Sequence, residues 1–266
     1  LGEKTVMNAR NPSLYKKESG IALEANSLVK RYNKSSRPAL NDFDLQVNKG
    51  EFFGLLGTNG AGKTTAVSVF SGFFPPDSGT VSIMGMDFRR QAHKIRQIIG
   101  VVPQEIALYD KLSARENLSF FGRLYGFGGK LLEARIDLCL QFAGLTDQAT
   151  RLVSAYSGGM KRRLNLATGL LHAPQILFLD EPTVGIDTQS RHLIHKQLTA
   201  LNLAGITILY TTHYMEEAQE LCSRIGIIDG GKIILQGKPN RLLQQSGSRN
   251  LEELFLDLTG KQLRDT

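Results

Sequence analysis

The chain has 266 residues, 41% hydrophobic and 21% charged, with a net charge of +7. That composition is globular and excludes disordered and fibrous classes, and the length suits one large domain or two small ones. No stretch reaches the roughly 18 apolar residues of a membrane-spanning helix, and residues 1–20 lack the apolar core of a secretory signal.

Residues 1–20 are polar and aperiodic and read as a loose leader. From Ile21 the pattern turns strand-like, over residues 21–25, 28–32 and 40–47, the last with Leu40, Phe43, Leu45 and Val47 in near alternation. Residues 51–56 form an almost unbroken apolar run, as in strands buried on both faces of a parallel sheet. Residues 98–102, 176–179 and 206–210 read the same way.

Ser113 and Glu116 make a capping box that opens a helix bearing Leu118, Phe121 and Leu124. Glycines within 126–129 end it, and residues 131–143 and 189–201 predict further helices. Cys139 and Cys222 are too few for a disulfide framework and suit a reducing compartment. Both fall on apolar helical stripes, Cys222 with Ala218, Leu221 and Ile225, and both are expected in the core. Residues 225–228 and 232–235 flank Asp229, Gly230 and Gly231, a hairpin turn signal. Leu251, Leu254, Phe255 and Leu258 mark an amphipathic C-terminal helix. Strands alternating with helices predict an α/β fold around a parallel sheet, with an all-α lobe inserted near 105–155.

Several places carry chemistry. Gly57, Thr58, Asn59, Gly60, Ala61, Gly62, Lys63, Thr64 and Thr65 fit G-x-x-x-x-G-K-[ST] between a buried strand and a helix. Glycines let successive N–H groups face one phosphate, the helix start adds its dipole, Lys63 supplies a point charge, and the Thr64 hydroxyl can ligate Mg²⁺. Asp180 and Glu181 end a hydrophobic strand, where open α/β sheets place ligands. Asp180 suits the metal and Glu181 the attacking water. Ser157, Gly158 and Gly159 precede a helix and form a second anion-binding turn. Gln104 and His213 follow apolar strands, one within reach of Mg²⁺ or water, the other of a γ-phosphate. Tyr32 is a candidate aromatic platform, and Asp187 lies in a loop just past the acid pair.

These motifs, in this order, resemble the ATP-binding subunit of an ABC transporter. The resemblance implies a RecA-like P-loop core over 21–240, with an N-terminal antiparallel β-subdomain, a helical subdomain near 105–170, and a helical extension over 241–266. It implies that Tyr32 stacks on adenine and that residues 57–65 hold the phosphates of ATP. Thr64, Gln104 and Asp180 serve Mg²⁺, Glu181 is the base, His213 is the switch, and Lys63 completes the catalytic set. Ser157, Gly158 and Gly159 cap the γ-phosphate held by a second subunit, and Asp187 belongs to the dimer-interface loop.

The partners implied are a homodimeric or paired ATPase and integral membrane permease subunits, at the cytoplasmic face of the membrane, with no nucleic acid expected. Residues 106–115 look like the surface that receives a coupling helix. The sequences around Asp180 and Gly158, and the ending from Leu251, are most similar to type-2 exporters of the daunorubicin-resistance-like group. The alternative is a soluble ABC ATPase of translation or DNA repair. The absence of heptads between Lys63 and Ser157, and the single set of motifs, argue against it.

Overall fold

The computed structural model describes residues 20–32 and 37–260. The leader expected over 1–20 lies, apart from Gly20, outside the described residues, as do residues 261–266 of the extension.

The first two predicted stretches are one strand, β1 (Ile21–Lys30). Ser27, at φ 48°, takes up a register shift between Ala25 and Leu28, so two short alternating runs join through a bulge. The strand ends at Lys30, so Tyr32 lies beyond it rather than within it. β1 pairs antiparallel with β2 (Leu40–Asn48) and β4 (Ser78–Ile83), and β5 (Met86–Asp87) completes a sheet of order β2-β1-β4-β5. Neither β4 nor α2 (Phe88–Arg96) was legible beforehand. Only Val81 and Ile83 of β4 are buried, and only Ile95 of α2, which leaves little periodic signal.

The second sheet runs β10-β9-β3-β8-β7-β6, built from β3 (Phe52–Leu56), β6 (Ile99–Val102), β7 (Ile176–Asp180), β8 (Thr207–Thr212), β9 (Arg224–Asp229) and β10 (Lys232–Gly237). All pairings are parallel except that of β10 with β9, whose hairpin turns on Gly230 and Gly231 at φ 55° and 77°. Every residue of β3, β7 and β8 is buried, which explains their unbroken apolar or threonine-rich sequences.

Helix α1 (Lys63–Phe70) lies between the two sheets. At its end Phe70 meets Phe43 of β2 and Phe178 of β7, with ring centroids 6.0 and 6.2 Å apart. A buried phenylalanine contributes about 2–3 kcal/mol, so this contact ties the phosphate loop's helix to both layers. The helices α3 (Ala114–Leu124), α4 (Gly129–Ala143) and α5 (Gly158–Leu170) share a separate core around Leu118, Ile136, Cys139 and Leu164. The capping box forms as expected: Ser113 accepts from the Glu116 N–H while Glu116 accepts from the Ser113 N–H.

The opposite face of the parallel sheet carries α6 (Thr188–Leu203), α7 (Met215–Leu221), α8 (Pro239–Ser246) and α9 (Leu251–Thr259). Both cysteines are buried, and burial pushes their thiols up, that of Cys139 to about 12. The stripe expected through Cys222 is broken, however. Cys222 terminates α7, and Ile225 belongs to β9. Four apolar residues at that spacing fit either a helix or a turn into a buried strand.

Candidate functional site

The phosphate loop follows β3 and enters α1 through Gly62 at φ 117°. A Cβ there would lie 2.5 Å from the Ala39 carbonyl oxygen, so both conformation and space demand glycine. The loop is braced from below, where Gly231 of the hairpin turn donates to the Ala61 carbonyl at 3.0 Å. No side chain caps α1 and no acid occupies its first turn, so its leading N–H groups are arranged for an anion.

Lys63 is buried, and its ammonium donates to the carbonyls of Gly57 and Thr58 at 2.8 and 3.2 Å. It also pairs with Glu181 Oε1 at 2.9 Å. The other carboxylate oxygen of Glu181 accepts from Gln104 Nε2 at 3.3 Å, and His213 Nδ1 stands 3.3 Å from it. Three predicted residues from three separate segments thus converge on the carboxylate of a fourth. Glu181 itself is at φ 46°, a left-handed conformation unusual for a residue with a side chain. Thr211 stabilises it, accepting from the Glu181 N–H through both its carbonyl and its hydroxyl at 3.2 and 3.1 Å. Strain of this kind persists where the surroundings over-determine the backbone, as they do at functional sites.

Asp180, at the end of β7, accepts from the Thr211 hydroxyl at 2.6 Å. Burial pushes its carboxyl above the ordinary range, against hydrogen bonds from Thr211 and Thr64 that pull it down. An ionised carboxylate so placed is short of compensating positive charge, which a cation beside Thr64 would supply. Among the described residues no cluster of three or more His, Cys, Asp or Glu suits a metal. A cation here would therefore depend on hydroxyl, amide and substrate oxygens as well.

Tyr32 is 44% exposed, its hydroxyl 3.4 Å from Thr65 Oγ1 and its ring edge-on to Phe74. Ser157 caps α5, accepting from the Met160 N–H at 3.2 Å, and Ser157 and Gly158 are exposed. No contact joins these two to the Glu181 cluster among the described residues. Asp187 caps α6 through the Ser190 N–H at 2.8 Å, and these hydrogen bonds hold its carboxyl below the usual range. Gly159 packs against that cap, since a Cβ there would fall 2.1 Å from Ser190 Oγ and 2.9 Å from Asp187 Oδ2. Gly159→Ala is therefore expected to cost about 1–3 kcal/mol. Thermal melts should show the loss, and Ser190→Gly should restore part of it. An unchanged melting temperature in Gly159→Ala would refute this contact.

Sequence reasoning missed Thr211, and also Arg162, whose guanidinium touches the loops on both sides of Glu181. Thr211 is the penultimate residue of β8, a strand of otherwise ordinary sequence. Arg162 is one of three consecutive basic residues, and only packing distinguishes it from its neighbours.

Known proteins resemble this chain in sequence and fold. A model of the family described as ABC transporter matches residues 40–184. The linearmycin resistance ATP-binding protein LnrL of Bacillus subtilis is 44% identical over 87% of this chain and 74% of its own length. A daunorubicin resistance ATP-binding protein of Streptomyces coeruleorubidus is 43% identical over 88% and 72%. Among solved structures, a dimeric ATP-binding cassette in a post-hydrolysis state with ADP and Pi superposes with a TM-score of 0.75, 27% identity, and coverage of 81% of this chain and 98% of that one. This chain shares the fold of that solved cassette over most of its length. It belongs to the ABC transporter family and is an ATP-binding ATPase with the RecA-like P-loop fold.

Proposed function

We propose that this chain is the ATP-hydrolysing subunit of a membrane exporter, working as a head-to-tail pair beneath separate permease subunits on the cytoplasmic side. The observation that carries this reading is the convergence of Lys63, Gln104 and His213 on the Glu181 carboxylate. The functional unit would run over 21–240, with the helical subdomain near 105–170. Tyr32 would meet the adenine, and residues 57–65 the phosphates. Ser157, Gly158 and Gly159 would cap the γ-phosphate held by the second copy, with Asp187 in the interface between them. Relatives named for drug resistance support export over the translation or repair alternative. No helix among the described residues is long and apolar enough to cross a membrane, in keeping with a separate permease.

The chemistry follows from the geometry. A triphosphate in the loop offers Lys63 new partners, and the ammonium exchanges its hold on Glu181 for phosphate oxygens. The freed carboxylate accepts a proton from a water positioned by Gln104 and His213. The water oxygen bonds to the γ-phosphorus, the bond to the bridging oxygen breaks, and ADP leaves. Asp180, Thr64 and Gln104 fit Mg²⁺, which when bound neutralises charge on the phosphates. Closure of the pair around ATP is the step that would drive the permease.

Lys63→Ala is expected to weaken ATP binding on the order of 10²-fold, because a charge-assisted phosphate contact is lost. Equilibrium binding with a fluorescent ATP analogue measures it, and unchanged affinity would refute the phosphate-loop assignment.

A further inference from the structure

Helix α5 does more than present Ser157 at its start. Three side chains on its first turns grip the segment that follows β6. Arg162 donates to the carbonyls of Gln104 at 2.6 Å and Pro103 at 3.5 Å. Asn165, 1% exposed, accepts from the Ala107 N–H at 3.2 Å. Lys161 pairs with Asp110 at 2.7 Å. The segment from Pro103 to Asp110 is thereby attached to α5 along its length.

Arg162 also reaches the other side of Glu181. Its second terminal nitrogen donates to the Val184 carbonyl at 3.4 Å. The contacts close into a ring: Arg162 holds the Gln104 carbonyl, the Gln104 amide donates to Glu181, the Glu181 carbonyl accepts from the Val184 N–H at 3.4 Å, and the Val184 carbonyl returns to Arg162.

The energetics are unusual. Arg162 is only 6% exposed, its partners are all carbonyls with no carboxylate among them, and its Nε is buried without a partner. A buried cation with dipoles alone for company is costly, and a leucine or methionine would fill the space at less cost to stability. What the guanidinium adds is a rigid planar fork that spans two loops at once, which a lysine ammonium does not.

We propose that Arg162 is a positioning residue for hydrolysis: it fixes the Gln104 and Val184 loops on either side of Glu181 and makes the Ser157 end of α5 move with them. Force on residues 104–110 then reaches α5 through Lys161, Arg162 and Asn165, and the two loops beside the Glu181 carboxylate through the Arg162 fork. The inference rests on the role of Glu181 given above.

The test uses the full chain with Arg162→Met and Arg162→Lys. In Arg162→Met, kcat for ATP should fall about 10- to 100-fold, since the base is held less well in its productive position. The dissociation constant for ATP should stay within about twofold, because Arg162 does not touch the phosphate loop. Amide hydrogen exchange should quicken at residues 104–107 and 184–186 and stay unchanged in β3 and β7. Arg162→Lys should recover little of the turnover, with the same two loops still loosened. Normal kcat in Arg162→Met, or slowed turnover with unchanged exchange in both loops, would overturn the proposal. General unfolding in Arg162→Met would show as faster exchange in β3 and β7, and Arg162→Lys then decides by the same criteria. Should the unmodified chain hydrolyse no ATP, the reading of Glu181 fails, while loop exchange still judges whether Arg162 holds both loops.

Discussion

Glu181→Gln should bind ATP and turn it over roughly 10²–10⁴ times more slowly. The substitution keeps the shape of the side chain and its ability to meet Gln104 and His213, but removes the proton acceptor. It also removes the negative partner that holds the Lys63 ammonium at 2.9 Å. The lysine is then freer to meet phosphate, so ATP affinity should be kept or improved. Unable to complete hydrolysis, two copies should remain closed around ATP. Size-exclusion chromatography with ATP and magnesium should show a dimer, and a steady-state assay the lost turnover. Full activity would remove Glu181 as the base, and a variant that stays monomeric at high concentration would remove the paired clamp.

Glu217→Ala should destabilise the protein by about 3 kcal/mol or more and lower its melting temperature by on the order of 10 °C. Glu217, on α7, is 4% exposed. Its Oε2 accepts from the hydroxyls of Tyr210 at 2.6 Å, Thr183 at 2.8 Å and Thr212 at 3.4 Å. Its Oε1 faces Arg191 at 3.5 Å and His195 at 3.6 Å, both on α6. Truncation leaves the Tyr210 and Thr183 hydroxyls, neither exposed at all and 3.1 Å apart, with only each other, so one of the two protons loses its acceptor.

Burial pushes the Glu217 carboxyl up, but His195 and the hydroxyls of Tyr210 and Thr183 outweigh it, and the net shift is downward from the ordinary 4.5. The stabilisation is therefore present above pH 4.5 and is lost as pH falls below it through the lower folded-state value. The gap in stability between the protein and Glu217→Gln should narrow across the same acidic range. Equal melting temperatures at neutral pH would remove Glu217 as a structural anchor. Because Thr183 lies two residues after Glu181 and Thr212 directly precedes His213 in the chain, turnover should suffer as well.

The contact motifs were legible because each needs residues close together in the chain. A phosphate loop is nine consecutive positions from Gly57 to Thr65, a capping box is Ser113 and Glu116, and a tight hairpin is Gly230 and Gly231. Backbone geometry demands the glycines and the caps there, and phosphate charge demands the lysine. Strands β3, β7 and β8 were legible for a related reason, since full burial on two faces leaves an unbroken apolar or β-branched run. Helix α2 had no such imprint, because Ile95 is its one buried residue and Phe88 packs only partly against the core. The two stretches of β1 merged into one strand because a left-handed Ser27 is a choice made by pairing with β2 and β4 rather than by local sequence.

By itself, then, the order of residues determined the α/β framework and the candidate lysine, acids and glycines that it presents. Only the tertiary structure decided how they are held. It placed Gln104, Lys63 and His213 around one carboxylate, gave Asp187 to the cap of α6, and set Arg162 and Glu217 as anchors behind the site. Apart from the local Asp187 cap and the Glu217–Tyr210 bond, those contacts join residues tens of positions apart, and hydrogen bonding across such separations follows the path of the folded chain, which no local pattern encodes.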